Sequence, residues 1–191
     1  DIDVVLVATP NDCHKPIAIR AMHAGKNVIS EKPVTLSSSD LQEMENVAKE
    51  TGKFLTVHQN RRWDDDFLII RKLVEEQKLG HVFRIESRVH GSRGIPGDWR
   101  KEKIHGGGMV LDWGVHLLDQ ILYLYRDRKI ETVYASLTHI TNQEVDDGFT
   151  TILTFEGGTE VLVEVGTNNY ISLPRWYVLG EDGTAVIRDW Q

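Results

Sequence analysis

Apolar and polar positions divide the chain into two stretches with different grammar. From Val4 to Thr9 the residues run almost without a polar break, the pattern of a parallel strand covered on both faces. Ile17, Ala18, Ala21 and Met22 then recur at helical spacing, with Asn11 or Asp12 as a capping residue, Pro16 in the first turn and Gly25 as the stop. Asn27–Ser30 reads as a second strand. Ser37–Ser39 open a helix through Leu41, Met44, Val47 and Ala48 that Gly52 ends, and Phe54–His58 is a third strand. Strand–helix–strand–helix–strand with short links predicts half of a doubly wound α/β domain.

After Arg62 the pattern changes. Asp64, Asp65 and Asp66 place negative charge at the start of a helix running through Phe67, Ile70, Leu73 and Val74 to Gly80. In Val82–His90, Phe83, Ile85, Ser87 and Val89 share one face, and Val82, Arg84, Glu86, Arg88 and His90 share the other. A glycine-rich loop from Gly91 to Gly108 leads to a helix from Met109 to Tyr125. Strands follow at Glu131–Ile140, Phe149–Phe155, Glu160–Thr167, Trp176–Leu179 and Ala185–Arg188, with hairpin turns at Glu156–Thr159 and Glu181–Thr184. The expected fold class is therefore α/β plus α+β. A partial Rossmann-type parallel sheet (1–62) precedes an α+β unit (63–191) built on a large, open, mostly antiparallel sheet. The chain starts and stops almost flush with core strands, so a piece of a longer protein is expected, cut at both ends.

Composition narrows the function classes. The net charge of −7 and the lack of aromatics interleaved with Lys and Arg argue against a nucleic-acid surface. No apolar run approaches a membrane span and no signal peptide is visible. Cys13 is the only cysteine. It excludes internal disulfides, fits a reducing compartment and a cytoplasmic location, and reads either as a helix-start residue or as a nucleophile.

Candidate chemistry lies in four places. On the Met109–Tyr125 helix, Asp112, His116, Asp119 and Tyr123 are spaced by four, three and four residues and share a face. Asp112 can pair with His116, orient the imidazole and raise its pKa, making a proton acceptor for a hydroxyl. The same residues also read as a satisfied core histidine with a structural partner, or as ligands for a divalent ion. Gly106–Gly108 let the backbone approach a ligand closely at a helix N-terminus, or form a flexible entry to the helix. Lys32 in Glu31-Lys32-Pro33 ends the second strand, where open α/β sheets bind ligands, although a lysine at a strand end is commonly a solvated surface residue. Pro33 is a candidate cis proline. Asp98-Trp99-Arg100 reads as a clamp for a substrate hydroxyl or carboxylate, or as a loop anchored by its Trp.

Taken in order, Thr9-Pro10-Asn11 with His14, Glu31-Lys32-Pro33, Asn60-Arg61-Arg62-Trp63-Asp64, Asp98-Trp99-Arg100, Gly106-Gly107-Gly108 and Asp112-Trp113-Gly114-Val115-His116 resemble the glucose–fructose oxidoreductase / inositol dehydrogenase / rhizopine catabolism (Gfo/Idh/MocA) family along essentially the whole chain. The resemblance implies an NAD- or NADP-dependent dehydrogenase acting on a sugar, cyclitol or related polyol. Lys32, Asp112 and His116 would be catalytic, with His116 the general acid/base and no metal. Thr9, Pro10, Asn11, His14 and Glu31 would lie at the cofactor, and Asn60, Arg61, Trp99 and Arg100 at the substrate. The family's Gly-x-Gly-x-x-Gly phosphate loop does not occur in the chain, so the chain by itself is expected to be inactive. A same-fold enzyme with transient oxidation, as in a glycosidase or epimerase, is one alternative; a nucleotide-binding regulator and a metal hydrolase are others. Outward apolar residues on the later strands (Tyr134, Ile140, Leu162) imply a homo-oligomer through the open sheet.

Overall fold

Two sheets, each with its own core, carry the chain in the computed structural model, which describes residues 2–189. Asp1, Trp190 and Gln191, the ends of the expected first and last segments, lie outside the described residues. In the first unit β1 (Val4–Val7), β2 (Asn27–Ser30) and β3 (Leu55–Val57) are parallel and adjacent in chain order. Helices α1 (His14–His23) and α2 (Ser38–Thr51) make the two crossovers. Successive right-handed crossovers moving the same way across a sheet put both helices on one face. Val7, Ala18, Met22, Val28, Met44 and Val47 are buried between them.

The expectation that β1 is covered on both faces is corrected for the same reason: among the described residues nothing covers the far face, and Val4 and Leu6 are exposed. The start of α2 follows the sequence. Ser37 caps it by accepting from the Asp40 amide, and Gly52 ends it in the left-handed region. The start of α1 does not. A 3₁₀ turn (Asn11–Cys13) precedes it and neither Asn11 nor Asp12 caps it, because both side chains reach across to the second unit.

The second unit is a six-stranded sheet in the order β5–β6–β7–β4–β8–β9. Its strands are β4 (Val82–His90), β5 (Ile130–Thr138), β6 (Gly148–Phe155), β7 (Thr159–Gly166), β8 (Trp176–Gly180) and β9 (Thr184–Ile187). Only β4 and β7 pair in parallel. Helices α3 (Asp65–Glu75) and α4 (Val115–Leu124) contribute Phe67, Ile70, Leu117 and Ile121 to the core, which meet Ile85, Phe149, Val163 and Val178 from the strands. The outer face of β4 carries a ladder of ion pairs: Arg84 with Glu86 (2.7 Å) and Glu160 (2.6 Å), and Arg88 with Glu86 and with Glu164 (3.0 Å).

The strict alternation expected along β4 fails at its start. A register shift between Val82 and Arg84 turns Val82 inward, 6% exposed, and Phe83 outward, 43% exposed. A bulge adds one residue to one strand, which reverses the facing of everything before it.

Candidate active site

The two units meet where Lys32, just past β2, reaches Asp112. The Lys32 ammonium donates to the Asp112 carbonyl (2.9 Å) and carboxylate (3.2 Å), across 80 residues of sequence. Arg100 donates its Nε to the same carboxylate oxygen (3.1 Å), while its Nη1 is held by Asp98 (2.7 Å) and its guanidinium lies over Trp99. Asp112 is thus a bridge between cations from both units. The Lys32–Pro33 peptide is cis. The Pro33 carbonyl accepts from the His14 ring (2.8 Å), and the other His14 ring nitrogen meets the Thr9 carbonyl (2.9 Å).

The expected Asp112–His116 pair is corrected. Val110–Gly114 is a π-turn, and regular α-helix begins only at Val115. Two cations win the Asp112 carboxylate over a neutral imidazole, because an ion pair better offsets the desolvation of a buried charge. Asp112 turns to Lys32 and Arg100, and Asp119 and Tyr123 serve Arg62 instead. Arg62 pairs with Asp119 (2.6 Å and 2.7 Å) and lies over the Tyr123 ring. The start of the turn is held by Asp146, whose carboxylate accepts from the Val110 amide (2.8 Å) and whose carbonyl accepts from that of Met109 (3.0 Å). Burial pushes the Asp146 carboxyl above its ordinary range.

The glycines before the turn approach protein rather than a ligand. A Cβ on Gly107 would lie 2.7 Å from the Arg100 carbonyl carbon and 2.9 Å from the Glu102 oxygen, and one on Gly108 (φ +103°) would strike the Asp146 carboxylate. Gly114 lets the Phe149 ring in, since a Cβ there would lie 2.9 Å from it.

His116 is 5% exposed, and among the described residues its buried Nδ1 has no hydrogen-bond partner. Its pKa is driven down to about 3, not up. Burial is the largest cause, then the positive charges of Lys32 and Arg61, and Asp112 offsets only part. The ring is therefore neutral at neutral pH. Its edge meets Trp113, with centroids 6.0 Å apart, and the Arg61 guanidinium covers Trp113 at 4.3 Å.

Arg61 is held from two sides. Asp64 pairs with its Nη1 (2.8 Å), and the buried Gln120 amide donates to its carbonyl (2.7 Å). Gln120 in turn accepts from Arg175 (2.8 Å), which also reaches Ser87 (2.5 Å) and Asp66 (3.2 Å) and is 2% exposed. Trp176 completes the group by donating its indole N–H to Asp66 (2.8 Å). This buried network escaped the sequence reading. Its signal was present in Gln120 and Asp66, polar residues at positions that the apolar stripes of their helices claim.

The cofactor-side residues fall into two groups. Thr9 is exposed at the end of β1, Pro10 begins the 3₁₀ turn, and Glu31 stands at the end of β2 paired with His58 (2.8 Å). Asn11 and His14 are placed differently from the expectation of direct contact. Asn11 donates to the Gly106 carbonyl (2.8 Å) and ties the units together, and His14, fully buried, spends both ring nitrogens on main-chain carbonyls. On the substrate side, Asn60 is exposed at the start of the turn (Asn60–Trp63) that carries Arg61. Among the described residues no group of three or more His, Cys, Asp or Glu side chains is arranged to hold a metal ion.

The arrangement matches family models in both halves. Residues 1–59 match the oxidoreductase family with an NAD-binding Rossmann fold, and residues 67–186 match the Gfo/Idh/MocA C-terminal domain. The chain belongs to the Gfo/Idh/MocA oxidoreductase family.

Among Gfo/Idh/MocA relatives, the chain is 41% identical to uncharacterized oxidoreductase YdgJ of Escherichia coli over 126 residues, 65% of this chain and 36% of YdgJ. It is 30% identical to scyllo-inositol 2-dehydrogenase (NADP(+)) IolW of Bacillus subtilis, over 97% of this chain and 51% of IolW. The crystal structure of an NAD-binding protein from Listeria innocua superposes with a TM-score of 0.96 at 58% identity, covering 98% of this chain and 56% of that one. The chain therefore spans about half, or less, of the length of these proteins. No helix among the described residues is long and apolar enough to cross a membrane.

Proposed function

We propose that the protein containing this chain is an NAD(P)-dependent dehydrogenase that moves a hydride between a nicotinamide and a carbon of a sugar, cyclitol or related polyol. The observation that carries the reading is the meeting of Lys32 from the first unit with Asp112 and the neutral His116 from the second. Relatives with established names, inositol 2-dehydrogenase of Rhizobium meliloti and 1,5-anhydro-D-fructose reductase of Ensifer adhaerens among them, support the substrate class.

The residues present fit the nicotinamide-ribose end of the cofactor. Thr9 and the Glu31 carboxylate stand exposed or half-buried at the carboxyl ends of β1 and β2, where such sheets bind nucleotides, and carboxylates accept from ribose hydroxyls. The bound nicotinamide supplies the hydride acceptor. The chain's own residues handle the proton. Neutral His116 accepts it from the substrate hydroxyl, and the Lys32 ammonium stabilises the negative charge that develops on that oxygen. Asp112 positions Lys32 and Arg100 and offsets part of the pull of Lys32 and Arg61 on His116. The division into a nucleotide unit at 1–62 and a substrate unit at 63–191 belongs to the same proposal. So do a cytoplasmic location and a homo-oligomer that covers exposed Tyr134 and Ile140 on the large sheet.

The test is a screen of the full-length protein with both cofactors against polyols, followed by Lys32→Ala and His116→Ala. Each variant is expected to lower turnover by about two powers of ten or more while the fold is retained. Near-normal rates in either would overturn its role.

A further inference from the structure

Arg61 and Trp113 also line a chamber of about 620 Å³, within the size range of small-molecule sites. Arg61, His90, Arg93, Met109, Trp113 and Thr167 are among its walls; among the described residues no Asp, Glu, Asn or Gln lines it, and its side-chain hydroxyls are those of Ser92 and Thr167. That is unusual in a protein of net charge −7. Neutral sugars present hydroxyls that both donate and accept, and they are gripped by side chains that can accept in return. Arginines only donate, and in a fork that matches an anionic oxygen pair.

One further observation marks the chamber as open to an anion. Arg93 is exposed on the chamber wall and pairs with no carboxylate among the described residues. Arg61, held by Asp64 and laid over Trp113, lines the chamber, and its charge reaches His116.

We propose that this chamber is a substrate subsite for an anionic arm, so that the enzyme acts on sugars or cyclitols carrying a carboxylate or phosphate in preference to neutral ones. This rests on the hydride-transfer reading of Lys32 and His116. The reacting carbon would sit at that pair and the anion in the chamber, where Arg93 donates to it.

The test uses the full-length protein with cofactor and matched substrates: glucose, glucuronate and glucose 6-phosphate, and the galactose counterparts. Expected is a kcat/KM at least ten-fold higher for one anionic member than for its neutral parent, with carboxylate and phosphate arms separating the two sources of charge. In Arg93→Gln that ratio should collapse toward one, mainly through KM. Neutral sugars turned over as well as both anions, or a ratio that Arg93→Gln leaves intact, overturns the proposal. Calorimetric titration of the same sugars without cofactor separates the two readings. Anion binding that weakens ten-fold or more in Arg93→Gln, with no turnover of any substrate, sinks the dehydrogenase reading and keeps the subsite. An absence of anion binding sinks the subsite, whatever is turned over.

Discussion

Arg175→Met is the sharpest probe of how the core supports the site. Burial pulls this guanidinium down to about 10, so it still carries its charge at neutral pH. It joins β8 to α3, β4 and α4 through Asp66, Ser87 and Gln120, and it lies over Trp176. Methionine fills similar volume but leaves the Asp66 carboxylate, 6% exposed, with the Trp176 indole as its remaining donor among the described residues. Its Oδ1 already lacks a partner among the described residues. Breaking a buried pair from one side costs about 3–5 kcal/mol, because the remaining charge is uncompensated. At roughly 2–4 °C per kcal/mol for a unit of this size, the melting temperature should fall by about 6–20 °C. Adding Asp66→Asn removes the orphaned charge and keeps an acceptor for Trp176, so the double variant should regain more than half of the loss. Thermal and urea unfolding followed by near-UV circular dichroism measure both variants. If Arg175→Met melts within about 2 °C of the parent, or if Asp66→Asn only adds to its loss, the network is not the support described here.

The remaining predictions concern pH and the glycine loop. His116 titrates near 6.5 when unfolded and near 3 when folded, so between those values the unfolded chain binds a proton that the folded chain does not. Stability should be full above about pH 6.5 and fall toward pH 3, with this one group contributing a slope of up to about 1.4 kcal/mol per pH unit. Urea midpoints measured from pH 7 to pH 5 should flatten in His116→Gln, and an unchanged slope would contradict the assignment. Gly107→Ala forces a Cβ against the Arg100 and Glu102 main chain and should destabilise by about 1–3 kcal/mol while loosening Arg100 from Asp112. Gly97→Ala, with open space around it, is the control and should unfold like the parent in the same assay.

By itself the sequence determined the elements and the residues worth watching. Apolar runs of period two or near 3.6 located the strands and helices, since burying one face is a local demand on the chain. Ser37 and Gly52 marked the ends of α2, because caps are satisfied within a turn. Lys32, Asp112 and His116 stood out as polar groups set at strand ends or among apolar neighbours. Partnership was decided only in three dimensions. The Val110–Gly114 π-turn and the bulge after Val82 each shift one residue of register, which alternation cannot register in advance. Asp112 left its neighbour His116 for Lys32, 80 positions away, and Arg175 joined four elements that nothing local connects. Buried charges take the partner that best offsets their desolvation, and that partner is chosen by how the sheets and helices stack, not by distance along the chain.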